Sequence, residues 1–150
     1  MTKFGVSQSV LRKEDSRFLT GAGRYVDDIA PAGALIVHFF RSPVAHATVT
    51  ELDVSEARAA DGVVAVYTAA DLVGKVKNAM DFSVVTNRDG SKGASPVRPL
   101  LAEDRVCHAG EALAAIVATS RQAALDAAEL IVFDFDERPT HIATALGGEA

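Results

Sequence analysis

Apolar positions along the chain fall into short blocks separated by turn residues, and the spacing within each block predicts its element. Residues 35–41 (LIVHFFR), bounded by Gly33 and by Ser42-Pro43, read as a strand. Residues 47–54 alternate, with Val49 and Glu51 on one side and Thr50 and Leu52 on the other, and predict a second strand. Residues 55–60 predict a short helix with Ser55 as its N-cap and Gly62 as its stop. Residues 63–67 (VVAVY) are β-branched and predict a buried third strand. Thr68-Ala69-Ala70-Asp71 has the spacing of a capping box that opens a single helical turn.

Residues 75–98 break this rhythm. They contain Asn87-Arg88-Asp89-Gly90-Ser91-Lys92-Gly93, which is loop chemistry, and a loop of that length is either functional or disordered. Residues 105–108 predict a short strand and residues 112–119 (ALAAIVAT) a longer one. Ser120 caps a predicted helix over 121–130 with Ala124, Leu125 and Ala128 on one stripe. In residues 131–136, Ile131, Phe133 and Phe135 face one side, and Val132, Asp134 and Asp136 the other. Strand, helix and strand in succession predict a βαβ-type unit and the α/β (α+β) class.

Composition narrows the function. The chain has 150 residues, the size of one domain, with 49% hydrophobic and 23% charged positions, as in soluble globular proteins. A net charge of −5 and no tryptophan argue against a nucleic-acid surface. A single cysteine, Cys107, forbids an internal disulfide and fits a reducing compartment. No apolar run suggests a leader or a membrane span, so the expectation is a cytoplasmic protein. Residues 1–24 carry Lys3, Arg12, Lys13, Arg17 and Arg24 against Glu14 and Asp15, and read as an extended basic arm.

No constellation of residues defines an active site by spacing. Cys107 and His108 are neighbours, and neighbours on a strand point to opposite faces, so a buried, inert cysteine is expected. His38, His46, His108 and His141 show no helical zinc-ligand spacing. Gly21-Ala22-Gly23 lacks the third glycine and preceding strand of a dinucleotide loop, and Gly110-Glu111 reads as a turn. Asp27-Asp28, Asp134, Asp136 and Glu137 read as turn or solvated carboxylates, and Asp126 and Glu129 as helix-surface residues.

Six segments, in order, resemble one family over residues 8 to 140. They are DSRFLTGAGRYVDDI (15–29), RSPVAHA (41–47), GVVAVYTAADL (62–72), PLLA (99–102), residues 106–117 around Gly110-Glu111, and SRQAALDAAELIVFDFDE (120–137). Together they resemble the N-terminal a/b hammerhead domain of the molybdenum-binding subunit of the xanthine dehydrogenase and aldehyde oxidase family.

The resemblance implies a single compact hammerhead-like domain over 25–142, a mixed β-sheet flanked by short helices, with a tail at 143–150. The family hydroxylates aldehydes or N-heterocycles with oxygen from water, and electrons leave through iron–sulfur clusters and usually a flavin. Molybdopterin and the catalytic residues lie in later domains, so the resemblance assigns no catalytic, cofactor-binding or metal-binding residue here. Structural or interface roles fall to Arg17, Gly21, Gly23, Tyr25, Asp27 and Asp28 in the entry segment, to Arg41, Ser42 and His46 at a turn, and to Gly110 and Glu111 at another. His108 departs from the aromatic that the family commonly places near that turn. The expected chain is a separate, non-catalytic piece completing the molybdenum subunit. Molybdopterin or molybdopterin cytosine dinucleotide with molybdenum would sit in the large partner subunit, with 2Fe-2S clusters and FAD in others. The alternatives are a free-standing module that docks on or matures such an enzyme, and a small independent enzyme using Cys107, His108 or the carboxylates.

Overall fold

The computed structural model describes residues 12–76, 83, 85–93, 98–140 and 142, and the chain divides into two units, Met1–Ala34 and Leu35–Ala150. Lys3 and residues 143–150 lie outside the described residues, as does His141.

In the first unit the expected extended arm contains a helix, α1 (Asp15–Leu19). Asp15 in its first turn and Arg17 in its last suit the helix dipole. Its end is a Schellman motif: Ala22 N–H donates to the Arg17 carbonyl (2.9 Å) and Gly21 N–H to that of Phe18 (3.1 Å). Gly21 occupies the left-handed position at φ +72°. Local end-capping, invisible to a reading based on charge, closes this five-residue helix. A 3-10 turn follows at Val26–Asp28.

The second unit runs β1 (Ile36–Arg41), β2 (Ala47–Asp53), α2 (Ser55–Ala59), β3 (Val63–Thr68), α3 (Ala69–Leu72), β4 (Arg105–Val106), β5 (Ala112–Ala118), α4 (Arg121–Glu129) and β6 (Val132–Glu137). They form two three-stranded sheets, β1-β5-β3 and β4-β2-β6, with every strand pair antiparallel. The α/β (α+β) class with short flanking helices therefore holds, but β5, α4 and β6 make no βαβ unit. The two strands belong to different sheets, and α4 carries the chain from one to the other.

Two apolar clusters hold the unit together. One joins Val66, Ala114, Ile116 and Ala118 on one face of the first sheet to Ala57 of α2 and to Ala124 and Ala127 of α4. The alanines let helix and sheet backbones approach closely. The other joins Ala47, Ala102, Val106 and Leu113, with Val49, Leu52, Phe133 and Phe135 packed on them.

Four local expectations change. The β2 register shifts between Val49 and Glu51, so Val49 and Leu52 reach the same cluster instead of opposite faces. β3 lies at an edge of its sheet, which leaves only Val66 of its residues buried. Ser55 begins α2 rather than capping it. Asp53 Oδ1 accepts the Ser55 N–H (2.8 Å) and Asp53 Oδ2 the Ser55 hydroxyl (3.0 Å), which holds the Asp53 carboxyl below the usual aspartate range. Finally, the long loop contains an ordered hairpin turn in which Thr86 bridges Lys92 and Asn87 N–H donates to the Ser91 carbonyl at 2.8 Å.

Two predicted caps are present. Ser120 Oγ accepts the Ala123 N–H at 3.1 Å at the start of α4. At α3, Asp71 Oδ2 accepts the Thr68 N–H (2.8 Å) and hydroxyl (3.0 Å), and pairs with Arg58 Nη2 at 2.7 Å. These contacts, led by the Thr68 N–H, hold the Asp71 carboxyl below its ordinary range.

Candidate functional site

The entry-segment candidates gather around one aromatic pair. Phe18 and Tyr25 stack with ring centroids 5.2 Å apart, and the Arg17 guanidinium lies 5.5 Å from the Phe18 ring. Gly23 lies under that ring so closely that a Cβ would stand 2.1 Å from Phe18 Cδ1. Tyr25 N–H donates to Asp28 Oδ2 at 2.8 Å and fixes the 3-10 turn. Arg17, Gly21, Gly23, Tyr25 and Asp28 thus form one self-supporting local structure. Only the backbone of Asp27 is described.

The remaining candidates meet where the chain twice crosses between the sheets. The β1–β2 connection leaves the first sheet for the second, and the β4–β5 connection returns. Ser42 N–H donates to the Glu111 carbonyl (2.9 Å), and Gly110 N–H donates to the Ser42 carbonyl (2.9 Å). Arg41 Nη1 donates to the Gly110 carbonyl at 2.7 Å. Gly110 holds φ +82°, where a side chain would be strained. Glu111 Oε2 accepts the Cys107 N–H at 2.6 Å and closes the return turn. His46 Nδ1 lies 2.8 Å from the Pro139 carbonyl, and Arg138 N–H donates to the His46 carbonyl, which ties the end of β6 to the same corner. Arg41, Ser42, His46, Gly110 and Glu111 therefore act as a clamp.

The clamp has no catalytic chemistry of its own. Ser42 is buried, and its hydroxyl is spent on Val44, donating to the carbonyl (2.8 Å) and accepting the N–H (3.1 Å). No general base reaches it among the described residues, as nucleophilic catalysis by serine requires. Cys107 is exposed, not buried as expected, because β4 ends at Val106 and that residue takes the core position. His108 Nδ1 stands 3.7 Å from Glu111 Oε2 on the surface. Among the described residues no three His, Cys, Asp or Glu side chains are placed to hold a metal ion. The two open depressions, one beside Leu72, Val73 and Leu100 and one beside Thr50 and Leu52, have Glu103 as their common charged residue.

Sequence reasoning missed Arg58, whose guanidinium donates to the Val66 carbonyl through Nε and Nη2 (both 3.1 Å) while pairing with Asp71. It also missed the row Phe39, Ala115 and Tyr67, which strand register sets side by side across the first sheet. The uninterrupted apolar run of β5 was the available signal for that row.

This clamped two-sheet unit has clear counterparts. Residues 20–139 match the aldehyde oxidase and xanthine dehydrogenase a/b hammerhead domain. The chain is 39% identical over 128 residues to the carbon monoxide dehydrogenase large chain of Afipia carboxidovorans, covering 85% of this chain and 15% of that protein. The crystal structure of quinoline 2-oxidoreductase from Pseudomonas putida 86 superposes with a TM-score of 0.81 at 41% identity, over 95% of this chain and 18% of that one. That of the Cu,Mo-CO dehydrogenase gives 0.74 at 35% identity, over 93% and 16%. The chain belongs to the a/b hammerhead domain family of aldehyde oxidase and xanthine dehydrogenase. It spans less than a fifth of the length of these relatives.

Proposed function

We propose that this chain is the hammerhead part of the large subunit of a cytoplasmic molybdenum hydroxylase, an oxidoreductase acting on an aldehyde or an N-heterocycle. Its contribution is structural: it completes the fold of the subunit and its contacts. Molybdopterin, or its cytosine dinucleotide form, with molybdenum belongs to the remainder of the large subunit, and 2Fe-2S clusters and FAD to further subunits. No step of the hydroxylation is assigned to the described side chains, among which no three His, Cys, Asp or Glu are placed to hold a metal ion. The observation that carries this reading is the match to quinoline 2-oxidoreductase, with 95% of this chain aligned at 41% identity.

Native affinity purification followed by mass spectrometry tests it. The expected result is one copy of these residues for each molybdopterin-binding large-subunit region, with iron–sulfur and flavin polypeptides in the same particle. Substoichiometric recovery that disappears from the mature enzyme would identify an assembly factor instead. Recovery alone would reject both.

A further inference from the structure

The β1-β5-β3 sheet carries apolar residues on both faces, and the described residues of this unit pack along the whole length of only one. The inner face carries Ala114, Ile116 and Ala118 against α2 and α4. Alternation puts Leu113, Ala115 and Val117 of β5 on the other face. Leu113 there is buried in the second cluster, but that cover stops after it, and Ala115 and Val117 are only half-buried. Register extends this open face sideways in two rows, Phe39–Ala115–Tyr67 and Val37–Val117–Ala65. Val37 is 52% exposed, Phe39 41% and Tyr67 44%.

In the first row register sets Ala115 between two exposed aromatic residues on strands about 10 Å apart, twice the interstrand spacing, the arrangement of a shallow trough. Arg41 borders it, with its guanidinium 5.4 Å from the Phe39 ring and one N–H given to the Gly110 carbonyl. A guanidinium has five N–H donors, more than that one carbonyl uses. Strands with one solvated face alternate apolar and polar residues, whereas strands covered on both faces read as continuous apolar runs. ALAAIVA in β5 is a run of the second kind.

We infer that this outer face is where the hammerhead unit packs against the rest of the large-subunit polypeptide. An apolar segment lies in the Phe39–Ala115–Tyr67 trough and sets a carbonyl or carboxylate oxygen against Arg41. The inference rests on the proposed function. The occupant follows from two observations: the face is built as the inside of a sheet, and the quinoline 2-oxidoreductase chain that contains this domain devotes only 18% of its length to it.

The test replaces Tyr67 with the photo-crosslinker p-benzoylphenylalanine in the natively assembled protein, with Thr50 of β2 replaced in a parallel sample, and identifies crosslinked peptides by mass spectrometry. Tyr67 is expected to capture a segment of the molybdopterin-binding region, and Thr50 to capture it at least about tenfold less, since apolar trough contact requires exclusion of water. Capture of a second copy of this chain, capture of an iron–sulfur or flavin subunit alone, no capture, or equal capture from Thr50 overturns the inference. A particle that contains the molybdopterin-binding region without a Tyr67 crosslink to it sinks the inference alone, while a particle lacking that region sinks the proposed function as well. Ala115→Glu provides a second readout. With circular dichroism unchanged, it should lower the yield of the Tyr67 crosslink to the molybdopterin-binding region at least about tenfold, because a charge would be buried in the trough. An unchanged crosslink yield in the folded variant overturns the inference.

Discussion

On the β4-β2-β6 sheet, the side turned from the core carries Glu51 directly opposite Asp134, with Asp136 beside them, all exposed. On the β1-β5-β3 sheet, the corresponding side carries Val37, Phe39 and Tyr67. Both sheets have three antiparallel strands and comparable apolar inner faces, so the difference lies in what each outer face is built to meet. An acidic face is finished by water. An apolar face with aromatic walls is finished by another layer of polypeptide.

The sharpest break in this comparison is between neighbouring faces of the first sheet. Ile116→Ala, at a fully buried position, should cost about 2–5 kcal/mol, whereas Val37→Ala on the open face should cost within about 0.5 kcal/mol. Denaturant unfolding of the two variants measures this, and equal losses would mean that the outer face is already covered within the chain. Gly110→Ala should follow, at about 1–2 kcal/mol, because an alanine at φ +82° is strained where Arg41 and Ser42 grip the turn. Its loss should appear as a lowered denaturation midpoint. Asp134→Lys should raise that midpoint by about 0.2–1 kcal/mol by turning a like-charged cross-strand pair into an attractive one. The gain should shrink in high salt.

The smallest effect is one of pH. The Asp71 carboxyl in the folded chain lies below its ordinary value of 3.8, so the folded state binds its proton less readily than the unfolded chain. Its contribution is complete above that ordinary value and is lost as pH falls through the lower folded value. Asp53 behaves alike, and so does Asp89, whose carboxyl is lowered first by the Ser91 hydroxyl and then by its N–H. Asp71→Asn should lower the thermal midpoint near neutrality, where that contribution is complete, and so flatten the acid limb of a midpoint-against-pH profile.

Strand positions were legible where one residue type dominated a block. The apolar runs of β1, β3 and β5, and the Phe-Asp alternation of β6, place those strands within a residue or two of their observed ends. The β2 bulge was not legible, because Val49-Thr50-Glu51-Leu52 alternates perfectly in sequence and only pairing with β6 inserts the extra residue. The family resemblance named Arg41, Ser42, His46, Gly110 and Glu111 only as candidates, and the hydrogen bonds that join them were not legible, since Arg41 meets Gly110 across a separation of 69 positions that only the sheet crossovers close. Exposure of Cys107 likewise depended on where β4 stopped.

The account turns on the claim that these residues work inside a molybdenum enzyme. Elemental analysis of the particle natively purified through this chain tests that most directly. The expected result is about one molybdenum atom per copy of the chain. A homogeneous, folded particle without molybdenum would contradict it.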